Sequence, residues 1–345
     1  MKMKAMLLEG VTALKANDAP LRLAEVARPA PQAGEVLLKI AACGVCHTEL
    51  DEIEGRTAPP QYPVIPGHQV VGEVVELGKG VAEKHLGQRV GVAWIYEACG
   101  KCDYCNSGRE NLCREFKATG RDVDGGYAEY MLAPAQFTHP LPDEIDTYEA
   151  APLLCAGAIG YRSLRLTGLQ RGQRLGLTGF GASAHLVLKL LKTTFPESEC
   201  YVFARNAEER KFALELGAVW AGDTNDPPPR LLHAIIDTTP AWKPLVAAMK
   251  CLAPGGRLVI NAIRKESGDR DYLSQVDYST HLWEEKELKS VANVTKFDVR
   301  EFLKLAGEAR IRPDYQLYPL EQANLALSEM KAGLIKGAKV LAINR

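Results

Sequence analysis

The sequence predicts an α/β protein in two parts, a β-rich lobe and a doubly wound parallel sheet. Three observations carry that expectation. Short β-branched or alternating segments broken by Gly and Pro run to about residue 140, a strand, a glycine turn and a helix begin near Gln173, and continuous apolar strands then alternate with helical segments. A chain of 345 residues, at about 150 per domain, has room for two compact units.

In order, the β-rich part offers strands at "KAMLLEG" (4–10), "EVLLKIAACGV" (35–45), "QVVGEVVELG" (69–78), "QRVGVAW" (88–94) and "YAEYMLAP" (127–134). The pattern then changes. "QRLGLTGFG" (173–181) leads into the helical "ASAHLVLKLLKTTF", the strand "ECYVFAR", the helical "AEERKFALELG" and "AVWAGD". Three prolines make "DTNDPPPR" (223–230) a loop. The strand "LLHAIID" (231–237), the helical "KPLVAAMKCLAPGG" (243–256) and the strand "RLVINAI" (257–263) continue the alternation. Helices near 298–309 and 320–333 and a last strand, "GAKVLAIN" (337–344), suit either part.

Composition removes several classes of function. Lys and Arg number 42 against 43 Asp and Glu, so the formal charge is −1, and no basic stretch offers a footprint for nucleic acid or anionic lipid. With 46% hydrophobic and 25% charged residues the chain can bury a core and is not of disordered composition. "MKMKAMLLEG" lacks the apolar core of a signal peptide, and nowhere do eighteen uncharged apolar residues run together. A cytoplasmic protein without a membrane partner is expected.

Nine cysteines are too few for a disulfide scaffold in a chain of this length, so their spacing is what matters. Cys99, Cys102, Cys105 and Cys113 fall in "EACGKCDYCNSGRENLC". Four closely spaced thiolates on a glycine-bearing loop can wrap one tetrahedral zinc ion, leaving no open position and hence a structural role. A second group is dispersed: Cys46 in "AACGVCHTEL", His68 in "PGHQVVG" and Cys155 in "APLLCAG". Each alone reads as a core thiol or a satisfied histidine. Jointly they would make a three-ligand zinc site with a fourth position for water or substrate.

Gly179, Phe180, Gly181, Ala182 and Ser183 stand between a strand and a helix, where a dinucleotide pyrophosphate meets the positive end of a helix dipole. Ala184 replaces the third glycine of the Rossmann fingerprint, as its Gly/Ala alternative permits. The next strand ends Phe203-Ala204-Arg205-Asn206, with no acid before Glu208. A carboxylate there would favour NAD(H). Arg205 and Asn206 suit the 2′-phosphate of NADP(H) instead.

These segments resemble, across essentially the whole chain, the zinc-containing alcohol dehydrogenases of the medium-chain dehydrogenase/reductase superfamily, nearest the cinnamyl-alcohol-dehydrogenase-like branch. "CGVCHTEL", "PGHQVVGEVVELG", the four-cysteine lobe, "GGYAEYM", "APLLCAG" and the glycine loop occur in that family's order and spacing. The resemblance implies a GroES-like catalytic domain of residues 1–155 and 291–345 and a Rossmann coenzyme domain of 156–290, with the active site in the cleft. It implies two zinc ions per chain, one on Cys46, His68 and Cys155 and one on the four-cysteine lobe. Thr48 would bond the alcohol, His47 would contact coenzyme phosphate, Glu49 would fix the tautomer of His68, and Trp94 would wall the substrate pocket. A small alcohol or aldehyde substrate and a homodimer or homotetramer follow from it too.

Three positions depart from the family. Gln69 replaces a glutamate, Asp51 replaces the histidine that often ends the proton relay, and Ile159 replaces a threonine. Two other functions remain open: a polyol or other secondary-alcohol dehydrogenase, and a non-catalytic NADP(H)-binding redox sensor acting through Cys43, Cys200 or Cys251.

Overall fold

The structure, a computed structural model, describes residues 1–14, 19–334 and 337–344. The chain divides into two compact units, Met1–Ala158 with Val294–Arg345, and Ile159–Asn293.

The first unit is built on a seven-stranded sheet in the order Tyr315–Pro319, Ala338–Ala342, Glu35–Val45, Val70–Leu77, Arg89–Val92 and Thr138–Pro140, with Tyr130–Pro134 also pairing Glu35–Val45. Only the first two strands in that order run parallel. The tail thus completes the sheet of the β-rich unit, and Lys339 lies opposite Val45, next to Cys46. All five residues of Ala338–Ala342 are buried, Lys339 included. Its ammonium is compensated by Tyr318 Oη at 2.6 Å and the Glu329 carboxylate at 2.5 Å, which is what a buried cation requires.

The second unit is a six-stranded parallel sheet in the order Trp220–Gly222, Glu199–Phe203, Arg174–Thr178, Leu232–Asp237, Leu252–Ile260 and Glu287–Ser290. The order reverses between Arg174–Thr178 and Leu232–Asp237, the switch point at which such sheets bind ligands. Leu175, Leu177, Val202, Ile235, Ile236, Leu258 and Val259 are fully buried, which explains why these strands read as continuous apolar runs.

Two features differ from expectation. The helix expected to reach residue 256 stops at Met249, and Leu252–Ile260 is a strand whose register jumps from Leu252 to Arg257. Pro254, Gly255 and Gly256 cannot prolong a helix and form the irregularity instead. Leu21–Ala27, Tyr315–Pro319 and Glu287–Ser290 were not evident as strands; the last lies at a sheet edge and is wholly exposed, so it carries no apolar signal. Among the described residues no helix is long and apolar enough to cross a membrane.

Candidate active site and metal centres

Three elements of the first unit bring Cys46, His68 and Cys155 together. Cys46 follows the strand Glu35–Val45 and caps the helix His47–Ile53: its sulfur accepts the Thr48 N–H at 3.4 Å, and Glu49 Oε2 accepts the Cys46 N–H at 2.8 Å. His68 stands just before Val70–Leu77, which is zipped to the Cys46 strand through Cys43 and Val70. Gly67 precedes it with φ of +102°, where a Cβ would come 2.4 Å from the Tyr127 ring. Cys155 lies in a π turn, Leu153–Gly157, between the helices Thr147–Pro152 and Ala158–Thr167. Pro152 removes one N–H from the helical ladder, and the widened turn re-aims the side chains that follow.

His68 Nε2 is 3.5 Å from Cys46 Sγ and 3.4 Å from Cys155 Sγ, and all three ligand atoms lie within 4.8 Å of one another. Two ligands of a tetrahedral zinc, one sulfur and one nitrogen, are about 3.6 Å apart, so the donor set fits that ion with one position to spare. Behind it Glu49 Oε1 sits 2.7 Å from His68 Nδ1, both side chains fully buried. One carboxylate therefore secures the backbone of one donor and the ring of another. Without a metal, the hydrogen bond that the Cys46 thiol makes to Cys155 and then burial push that thiol well up. Burial works against protonated His68, but Glu49 and Cys46 outweigh it and hold the imidazole well above its usual range. A metal held by these donors would have to displace those protons.

Around this group Thr48 is half-buried and His47 exposed, at the first turn of the same helix. Asp51 is not a solvated carboxylate. It is 3% exposed and accepts Arg56 Nε at 2.6 Å. Gln69 is buried, with no partner for its Nε2 among the described residues, and fits because Gly44 opposite has no side chain. Trp94 is buried, tilted on Phe116 at 5.1 Å, and its Nε1 has no partner among the described residues. Ile159, the first residue of the second unit, is half-buried. Glu52, which the sequence did not single out, is buried with neither carboxylate oxygen partnered among the described residues; burial and then Glu49 push its carboxyl well up.

Cys99, Cys102, Cys105 and Cys113 form the second group, their sulfurs within 4.8 Å of one another. Cys99 and Cys105 are 3.9 Å apart, close to the roughly 3.8 Å edge of a tetrathiolate zinc. Gly100, at φ +72°, lets the chain double back directly after Cys99. Hydrogen bonds from the backbone N–H groups of Lys101 and Cys102 bring the Cys99 thiol down to about 7. Cys43 and Cys200 are pushed up by burial, and Cys251 to about 11, which makes all three poor sensor thiolates.

In the second unit Gly179 turns with φ +74°, and Gly181 begins the helix Ala182–Thr194 with no side chain capping it. A helix start without a side-chain cap is the kind of end at which a pyrophosphate docks. The Phe180 ring turns inward onto Phe212, at 5.7 Å, so only its backbone faces the turn. Ser183 Oγ accepts Asn261 Nδ2 at 3.1 Å. Arg205 is exposed, and Asn206 caps the next helix by accepting the Glu208 N–H at 2.9 Å. The sequence did not reveal two neighbours. Arg210 donates to the Ala204 and Arg205 carbonyls, and Glu209, its carboxyl raised by burial, accepts the Phe180 N–H beside Arg205.

The chain is thus of a two-unit α/β class, with two metal-type ligand groups in one unit and a dinucleotide-type loop at the switch point of the other. Residues 32–143 match the family described as "Alcohol dehydrogenase GroES-like domain". Over 332 residues the chain is 43% identical to "Probable alcohol dehydrogenase AdhA" of Mycobacterium tuberculosis (strain CDC 1551 / Oshkosh), which covers 95% of this chain and 94% of that relative. An alcohol dehydrogenase of Geobacillus stearothermophilus is 36% identical, with 93% of this chain and 95% of the relative covered. The solved structure of a cinnamyl alcohol dehydrogenase from Sorghum bicolor matches with a TM-score of 0.84 at 25% identity, over 99% of this chain and 98% of that one. The chain belongs to the alcohol dehydrogenases of the medium-chain dehydrogenase/reductase superfamily.

Proposed function

We propose that this alcohol dehydrogenase is zinc-dependent, takes NADP(H) in preference to NAD(H), and interconverts primary alcohols and aldehydes, in the manner of the cinnamyl-alcohol-dehydrogenase-like branch. The observation that carries the proposal is the three-donor group of Cys46, His68 and Cys155, backed by Glu49. Three protein donors leave the fourth tetrahedral position for an oxygen. Zinc bound there supplies Lewis acidity, which brings a hydroxyl within reach of deprotonation at neutral pH, and the coenzyme supplies the hydride acceptor.

The chain's own residues do the rest. Two thiolates temper the charge they hold, so that product can leave. Glu49 keeps Nδ1 of His68 protonated and Nε2 free to ligate. Thr48 Oγ1 would accept the substrate's hydroxyl proton as it gives up its own toward the coenzyme ribose, and His47 would meet coenzyme phosphate. Asp51, bonded to Arg56, acts on this path by fixing the end of the helix His47–Ile53. Trp94 walls the substrate site. Cys99, Cys102, Cys105 and Cys113 hold a second, structural zinc. Gly179 to Ser183 receive the pyrophosphate, and Arg205, with Asn206 Nδ2, the 2′-phosphate. A cytoplasmic homodimer or homotetramer completes the proposal; the exposed edge strand Glu287–Ser290 is a surface that a second copy could use.

The test is a panel of aliphatic and aromatic aldehydes with NADPH and NADH in parallel, accompanied by zinc counting. Primary aldehydes turned over faster with NADPH, at two zinc ions per chain, are expected. Exclusive use of secondary alcohols, or full activity in metal-free protein, would contradict the proposal. Arg205→Asp should move the NADPH to NADH ratio of kcat/KM toward NADH by about tenfold or more, since a charge-assisted bidentate pair is lost.

A further inference from the structure

At the carboxyl edge of the parallel sheet a buried ionic knot joins the loops that border the glycine turn. Asp237 ends the strand Leu232–Asp237 and is fully buried. Its Oδ1 accepts the hydroxyl of Thr178, the Thr239 hydroxyl at 2.7 Å and the Thr239 N–H at 3.1 Å. Its Oδ2 meets the ammonium of Lys265, which also donates to the carbonyls of Thr239 at 2.9 Å and Ala241 at 2.8 Å. The three N–H groups of Lys265 are then all used, and none remains for a coenzyme phosphate.

The surroundings of the knot define its role. Thr178 immediately precedes Gly179, and a Cβ on Gly179 would come 2.9 Å from Thr238 Oγ1 and 3.1 Å from Thr239 Cγ2. Residues 238–241 are therefore the wall of the glycine turn. Segment 261–269 is tied to that wall: the Glu266 N–H donates to the Pro240 carbonyl at 2.7 Å, and Asp269 accepts the N–H groups of Trp242 at 2.9 Å and Lys243 at 2.8 Å. Its other end reaches Ser183, in the first turn of the helix after the glycines, through Asn261. A buried network with every partner matched is rigid, and removing one partner leaves a charge that the interior cannot solvate.

We infer that Lys265, acting through Asp237, is a positioning residue for the dinucleotide: it fixes the strap 261–269 and the wall 238–241 so that the glycine turn is shaped before the coenzyme arrives. The inference rests on the coenzyme binding proposed above. Its test is NADPH binding to the full chain without substrate, read by coenzyme fluorescence, with thermal unfolding followed alongside. Lys265→Met keeps the stem and removes the charge, and is expected to raise Kd by about tenfold, within the usual range of coupling between non-contacting residues and a ligand. Lys265→Arg should restore most of the affinity. Thr178→Val, a gentler cut that covers the case in which Lys265→Met does not fold, should raise Kd by about threefold. A Kd unchanged in Thr178→Val, or unchanged in Lys265→Met while its Tm falls, would overturn the inference and leave the knot a purely structural device. A wild-type chain that binds neither NADPH nor NADH would overturn the coenzyme reading and the inference with it.

Discussion

Two groups of metal-type ligands in the same unit are assembled in opposite ways. Cys99, Cys102, Cys105 and Cys113 come from one loop that folds around its own sulfurs, whereas Cys46, His68 and Cys155 come from a helix cap, the segment just before a sheet strand and a π turn. The loop offers four thiols and leaves no vacancy for a fifth partner. The dispersed group offers three donors, and it depends on the whole sheet for its shape. Closure suits the structural zinc proposed for the local group, and openness the catalytic zinc proposed for the dispersed one. Their protons do not follow that division: in the loop Cys99 is drawn down to about 7 by backbone N–H groups while burial pushes Cys105 up to about 12, and in the dispersed group Cys46 is driven up by Cys155 and burial.

The sharpest break in that contrast is at the open group. Cys46→Ala or His68→Ala should lower kcat by about three orders of magnitude, with NADPH binding nearly unchanged, as stopped-flow absorbance and fluorescence titration would read. A smaller loss is expected one step back. Glu49→Gln should cost about 10- to 100-fold in metal affinity or activity, measured by competition with a chelator, because it frees both the His68 ring and the Cys46 cap. Cys99→Ser should act in the other direction, lowering Tm by about 5 to 10 °C while kcat at 25 °C stays within about twofold.

The mildest effect concerns acid. His139 lies opposite Gly91 in the sheet, and Gly91 packs directly on Leu154 beside Cys155. Burial, and then Lys84, Lys296 and Arg300, hold the His139 imidazole down at about 3 from an ordinary 6.5. The folded chain therefore binds fewer protons than the unfolded chain between those values. Stability is fully present above pH 6.5 and falls by about 1.4 kcal/mol per unit as pH drops toward 3. His139→Phe should flatten that limb in urea titrations at pH 5 and pH 7, and an unchanged slope would remove His139 from the account.

What was legible from the sequence follows the same contrast. The tetracysteine loop is readable because its ligands are neighbours in the chain, and the parallel sheet because strands such as Leu232–Asp237 are apolar throughout. The three-donor group was not readable from spacing alone, where each residue passes for a core thiol or a satisfied histidine; the family resemblance was needed to connect them. The π turn at Cys155 has no signal beyond Pro152. The bond of Asp51 to Arg56 forms across the end of a helix, and Glu209, Lys265 and Asp237 find their partners through tertiary packing that no local pattern records. Edge strands such as Glu287–Ser290 escape because exposed strands need no apolar residues.

The most direct measurement is metal content per chain, followed together with turnover and circular dichroism while a chelator acts at stepwise falling pH. If the open group does the chemistry, one equivalent should leave first, activity should vanish in proportion to it, and the secondary structure should persist until the second equivalent is lost. Turnover that survives removal of the first equivalent, or that disappears only when the fold does, would contradict the account.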